Sequence, residues 1–323
     1  YWTGSSAVVD LLAEHSQCSV VPHEFTLFSF GQFFMDLYDP LIKGELDINL
    51  AKSNLQRFDA FNRSDMYPIR ASVRHICRKL KTYPEFIFRR RSGMGSVLGK
   101  GYKRACNDFS AMLKQYLKSN KKVNVVELNN ALRLIIEEVA LAAMSINVTD
   151  KKYSTSITVF DQIIAPPYQS LCNESIPNFR FINVDRHWKD QYISLRRAYK
   201  GMSSVNDIIG VRPWNEDNAK LKNLDPINYF VELRTSIDRI KRQQQGDENV
   251  LWIDFEDLVH NRDETANIIF SFFGVKFEDW TPDTHFYPDI SKSRVQKWRN
   301  PKWKSIELDK ELQEIATRLG YEI

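Results

Sequence analysis

Residues 179 to 197, FRFINVDRHWKDQYISLRR, set two groups with phosphate chemistry eight positions apart: Arg186 closes an apolar run and Ser194 lies in the amphipathic segment behind it. A guanidinium binds phosphate through charge-assisted, often bidentate hydrogen bonds, and a nearby hydroxyl adds a further donor. If the apolar run is a parallel strand, Arg186 stands at its carboxyl end, where open α/β sheets bind ligands, and Ser194 on the following helix can face the same crevice. A plainer reading is a core strand, a surface arginine and a helix serine in water. The chain's opening, YWTGSSAVVDLLAEH, offers a second cradle: Val8, Leu11 and Leu12 form one apolar helix face, and Gly4, Ser5 and Ser6 make its first turn. Backbone N–H groups there lack intrahelical acceptors and carry partial positive charge, and glycine permits close approach. Taken alone, Gly-Ser-Ser is also how an ordinary capped helix begins.

These segments need a scaffold, and the pattern supplies one. After the first helix a strand is expected near 19–25, and a long, mostly helical region follows. Its clearest piece runs from about 127 to 146, where Leu128, Leu132, Ile135, Ile136, Val139, Ala143 and Ile146 repeat at helical spacing and mark a core face. Strand-like runs return at 157–164, 179–184 and 250–255, separated by helices such as 226–244. Ala266, Ile269, Phe270 and Phe273 give a further helix that Gly274 ends. Strands alternating with helices imply an α/β fold with a doubly wound parallel sheet. The reading is one domain over 1–323, with a mainly helical insertion or cap at about 30–150 as the natural acceptor surface. In that insertion Arg89, Arg90, Arg91, Lys100, Lys103 and Arg104 surround glycines at 93, 95, 99 and 101. This stretch is expected to be a solvated loop or a mobile lid over an anion.

The order arginine, two residues, then a helix bearing a serine resembles the 3′-phosphate segment of sulfotransferases that use 3′-phosphoadenosine-5′-phosphosulfate (PAPS). His187 and Trp188 stand where that family usually has Asn or Asp and Pro. VLWIDFEDL at 250–258 is similar to its Tyr-Glu-Asp-Leu segment after the last core strand, and Phe272-Phe273-Gly274 to the closing Phe-Leu-Gly. SKSRVQKWRN at 291–300 resembles the late basic loop: Trp298, Arg299 and Asn300 match its end, and Gln296 replaces a customary glycine. The opening resembles the 5′-phosphosulfate loop, with Thr3, Ser5 and Ser6 in place of its hydroxyl residues. Trp2 holds the position of its basic residue.

The resemblance implies a sheet of P-loop nucleotide-binding type and transfer of a sulfuryl group from PAPS to a hydroxyl, leaving 3′-phosphoadenosine-5′-phosphate, with no metal. The carbohydrate-directed members look nearest, so the acceptor is expected to be a glycan or glycolipid. Thr3, Gly4, Ser5, Ser6, Arg186, Ser194, Lys292 and Arg294 become donor contacts. Glu24 becomes the base for the acceptor hydroxyl, with His23 second; alternation along an extended segment lets only one of them face it. Trp2 cannot stabilise the bridging oxygen, so a replacement cation is sought among Arg89, Arg90, Arg91, Lys100 and Lys189. Two rivals stay open. A phosphotransferase would show the Gly-Lys-Ser/Thr ending of a P-loop with a metal-binding acid, and that ending is absent. A nucleotide- or glycan-binding module without activity is made credible by Trp2.

Composition bounds the choice. The 323 residues are 43% hydrophobic and 12% aromatic, enough for a sizeable core. A formal charge of +4 suits an anionic ligand but lacks the clustered basicity of a nucleic-acid binder. Glu137 and Glu138 interrupt the longest apolar stretch, so no membrane span is expected. Cys18, Cys77, Cys106 and Cys172 form neither a metal pattern nor a disulfide framework, which favours a cytoplasmic setting. The alternative is the Golgi lumen behind an upstream anchor, and Asn62, Asn147 and Asn173 lie in glycosylation sequons without deciding it.

Overall fold

A computed structural model of the chain describes residues 4–24, 49, 51–52, 55, 94–119, 124–147, 157–161, 164–170, 178–199, 225–282 and 285–322. In chain order its elements are α1 (Ser5–Ala13), β1 (Cys18–Glu24), α2 (Met94–Ser119), α3 (Val125–Asn147), β2 (Ile157–Asp161), β3 (Phe181–Asp185) and α4 (Trp188–Tyr199). They continue with α5 (Pro226–Gln243), β4 (Val250–Asp254), α6 (Phe255–His260), α7 (Arg262–Phe273), α8 (Pro288–Lys292) and α9 (Ile306–Leu319). Two compact units divide the chain: Tyr1–Cys18 with Ala165–Ile323, and Ser19–Ile164. The expected strands and helices occur at these places, and the chain is mixed α/β. Among the described residues the pairings are β1 with β2 and β3 with β4. Only the second is seen to be parallel, which is coarser than the doubly wound sheet expected. Among the same residues no helix is long and apolar enough to cross a membrane.

In the unit Ser19–Ile164, α2 packs along α3. Leu128, Leu132, Ile135 and Ile136 on α3 are buried as the periodicity required. The glycine-rich basic stretch departs from expectation, because from Met94 onward it is helix and not loop. Tyr102, Cys106, Phe109 and Leu113 recur every three to four residues and are buried, and that face against α3 outweighs the low helix propensity of glycine. Gly101 gives room for the neighbouring helix: a Cβ there would lie 1.9 Å from the Glu138 carboxylate. Arg89, Arg90, Arg91 and Gly93 fall outside the described residues.

In the other unit, β3 and β4 run parallel in register from Phe181 opposite Val250 to Asp185 opposite Asp254. Helices α4, α5 and α9 bury a common core that includes Tyr192, Tyr229, Phe230 and Ile315. Buried amides bind the sheet to its surroundings. Asn183 and Gln169 exchange 2.8 Å hydrogen bonds, and Gln244 accepts from Asn183 at 3.2 Å and from Trp252 at 3.0 Å. Helix α1 is fixed at its far end by Glu14, whose buried carboxylate accepts from the Trp280 indole at 2.8 Å and from the backbone N–H groups of His285 and Phe286 at 2.9 and 2.8 Å.

Asp185 ends β3 inside a charge network. It accepts from the Arg186 N–H at 2.8 Å, from the buried Arg234 at 2.7 Å and from Lys241 at 3.2 Å. Although burial opposes its charge, Arg234 and Lys241 hold its carboxyl below the usual aspartate value. Asp185→Ala is expected to cost about 3 kcal/mol in urea unfolding, since it strips a buried guanidinium of a partner. The pH dependence has a definite sign. Asp185's contribution is complete above its unfolded value of about 4 and is lost as pH falls through the lower folded one. Unfolding titrated from pH 6 to 2 should show that loss in the native chain and lack it in Asp185→Ala.

Candidate functional site

Arg186 follows β3 directly and is 7% exposed. Its guanidinium lies over the ring of Phe255, 5.2 Å from the centroid, and Nη2 donates to the carbonyl of Arg294. Burial works against the arginine's charge and lowers its pKa, with Asp190 and Glu256 acting in its favour. The same phenyl ring dictates Gly4. A Cβ at that position would sit 2.2 Å from Phe255 Cδ2, and its φ of 102° is in the left-handed region. Both space and backbone therefore require glycine at the start of α1. Its carbonyl accepts from Ala7 at 2.9 Å to open the helix, with Ser5 and Ser6 in the first turn.

Helix α4 begins on His187, whose carbonyl accepts from Asp190 and Gln191 at 3.0 and 3.1 Å, and whose Nδ1 accepts from the Lys189 N–H at 3.3 Å. The imidazole thus caps the helix. Trp188 takes the place of proline at the first helical position and is buried in the α4–α5–α9 core. The His187 N–H donates to the carboxylate of Glu256 at 3.2 and 3.3 Å, joining the start of α4 to α6.

In the first turn of α4, Asp190 is fully buried, and each of its oxygens accepts one backbone N–H from the late basic loop, Gln296 and Lys297, both at 2.6 Å. Gln296 has φ 54° and ψ 36°. A residue with a side chain therefore takes a left-handed turn here, with the clamp on its own amide and the next. From this turn the Lys297 ammonium reaches Ser194, donating to Oγ at 3.1 Å, while Oγ donates to the Asp190 carbonyl at 2.9 Å. Burial, then the charges of Arg186, Arg294 and Arg197, lower the Lys297 pKa to about 8 against the pull of Asp190.

Arg186 thus meets the late loop at the Arg294 carbonyl, and Ser194 meets it at Lys297, a residue the spacing did not single out. Lys297 was missed because four cations lie within 292–299, and only the left-handed turn decides which of them meets Ser194. Lys292 points elsewhere, pairing with Asp289 at 2.6 Å on an exposed surface. Lys189 lies against tryptophans, its ammonium 4.5 Å from the Trp298 ring and 5.3 Å from Trp188. His187 stacks on Trp298 at 5.7 Å, and Asn300 caps the next turn by accepting from Lys302 at 3.0 Å. Thr3 and Trp2 lie outside the described residues. His23 and Glu24 are the last residues of β1, and their side chains also lie outside the description. Lys100 is exposed on α2, in the other unit.

No protein-family model and no curated protein matches the chain. Among solved structures, it is similar to a sulfotransferase domain from the curacin biosynthetic pathway, at 16% identity and a TM-score of 0.43, covering all of this chain and 95% of that one.

Gln296 offers a direct check on the loop. Gln296→Gly should raise stability by about 0.5 kcal/mol, because the left-handed cost of a Cβ, roughly 1 kcal/mol, exceeds the entropy that glycine returns to the unfolded chain. Gln296→Val should lower it by about 1 kcal/mol or more, since β-branching disfavours that region further. Urea midpoints for the three proteins give the order Gly, Gln, Val.

Proposed function

We propose that the chain is a sulfotransferase that moves a sulfuryl group from PAPS to a hydroxyl of a carbohydrate or glycolipid. The observation that carries this reading is the Lys297 ammonium on the Ser194 hydroxyl, with Arg186, at the carboxyl end of β3, bonded to the Arg294 carbonyl and both arginines acting on the charge of Lys297. Such a set fits a phosphomonoester: guanidinium and ammonium groups match its charge, and the hydroxyl completes the donors. Gly4 fits the other end of the donor, because the packing of Phe255 keeps any side chain off that position at the start of α1. In this reading Arg186, Arg294, Lys297 and Ser194 hold the 3′-phosphate, and Thr3, Gly4, Ser5 and Ser6 hold the 5′-phosphosulfate.

Bound PAPS supplies an activated sulfuryl group, whose bond to the nucleotide breaks as the acceptor oxygen attacks. The protein's part is to orient the donor by its two ends and to take the acceptor's proton, a role assigned to Glu24 with His23 as the second candidate. The whole chain then acts as one catalytic domain, and the mainly helical stretch at about 30–150 meets the acceptor. Of the cations weighed against Trp2, Lys189 is engaged with two indoles, which leaves Arg89, Arg90, Arg91 and Lys100 as the candidates for the bridging oxygen.

Calorimetry tests the donor. 3′-Phosphoadenosine-5′-phosphate should bind more tightly than adenosine 5′-phosphate, and Arg186→Ala should weaken it by about 1.5–3 kcal/mol, the range for a hydrogen bond to a charged group. Equal affinity for the two nucleotides would overturn the assignment. Turnover tests the base, with labelled PAPS against glycan and glycolipid acceptors. Glu24→Gln should keep nucleotide affinity and lose about 10²- to 10⁴-fold in rate, whereas His23→Ala should lose less. A native chain that binds the nucleotide yet sulfates none of these acceptors would instead favour a binding module.

A further inference from the structure

We propose that Lys297 is an anion-binding residue of the Ser194 site and gates it by a proton, binding a phosphate dianion as ammonium and releasing that part of the affinity when it deprotonates. The inference rests on the donor reading above and adds to it a regulation that the spacing of the basic loop did not suggest.

The geometry is the primary support. The Lys297 N–H is fixed on Asp190 at 2.6 Å, and its Nζ stands 3.1 Å from Ser194 Oγ. Among the described residues no carboxylate pairs with this ammonium. The nearest acid, Asp190, has both oxygens committed to the loop amides. The charges of Arg186 at the end of β3, Arg294 in the same loop and Arg197 on α4 each disfavour its own. The ammonium is half-buried among like charges, so it gives up its proton at about 8. A dianion placed among these groups reverses the balance, and binding must then draw a proton onto Lys297 in the range where the free site has lost it.

The other groups leave this range clear. Guanidinium groups stay protonated throughout it. His187, stacked on Trp298, is held below the usual imidazole value by desolvation, with Lys189 acting in the same direction. A phosphomonoester, with its second pKa near 6, remains a dianion above about pH 7.

The experiment is calorimetry of the whole chain at half-unit steps from pH 7 to 9.5 in buffers of different ionisation enthalpy. The ligands are 3′-phosphoadenosine-5′-phosphate, adenosine 5′-phosphate and inorganic phosphate. For the first, the native dissociation constant should be flat to about pH 8 and then rise by up to about tenfold per unit, the slope of one linked proton, with proton uptake in the buffer-dependent heat. Lys297→Arg should keep the affinity and lose the slope. Lys297→Met should bind about tenfold more weakly at pH 7, also without a slope, with ligand-free thermal melting showing both variants folded. A flat native profile, or a slope that survives in folded Lys297→Arg, overturns the proposal. If inorganic phosphate shows the Lys297-dependent slope while the two nucleotides bind alike, proton gating stands and the PAPS reading falls.

Discussion

Each oxygen of Asp190 accepts one backbone N–H of the late loop, from Gln296 and from Lys297, at 2.6 Å. A buried carboxylate is tolerable only when its hydrogen-bonding capacity is met. Here the donors come from a segment 106 and 107 residues further along the chain. The clamp connects the first turn of α4 to the loop, keeps Gln296 in a left-handed conformation and sets the direction in which Lys297 leaves the backbone. The contact of Arg186 with the Arg294 carbonyl depends on the same loop position. The stacking of Trp298 on His187 and Lys189 holds the loop against α4, and the clamp adds the direction of its backbone.

The distribution of acids explains why the site remains cationic. Asp185 is committed to Arg234 and Lys241, Asp190 to loop amides, and Glu256 to the His187 N–H. Each neutralises or fixes a neighbour of the site without entering it. Arg186, Arg294 and Lys297 are left close enough to oppose one another, as the lowered Lys297 pKa registers. Electrostatic self-repulsion of this kind is a cost to the folded chain, and an anion relieves it.

Where the chain differs from the sulfotransferase segments that its sequence resembles, the described residues show what takes the place of the usual group. His187 replaces an Asn or Asp cap with an imidazole nitrogen on the Lys189 N–H, and Trp188 exchanges proline's fixed φ for burial in the helical core. Gln296 replaces glycine at a positive φ under the Asp190 clamp. Local preference is broken at these points, and a local cap, burial in the core or a long-range clamp supplies the difference, a trade characteristic of functional sites.

The sequence by itself determined the elements and the residues at their ends. Arg186 stands after β3 because a short apolar run between polar residues has few alternatives to a buried strand. Gly274 adopts a left-handed conformation at the end of α7, as its position in the pattern required. Periodicity also located α3, since one apolar stripe can be satisfied by only one helix face. Tertiary structure decided the rest. The basic stretch from Met94 became helix because its buried face met α3, a long-range gain that glycine content conceals. Which lysine of the late loop reaches Ser194 was settled by one carboxylate in α4: Lys292 turned to Asp289, and Lys297, three residues after Arg294, turned inward. Spacing along a chain specifies faces of helices and strands, but in an irregular loop it specifies no direction. There, the distant group that satisfies the backbone N–H groups chooses the side chain that does the chemistry.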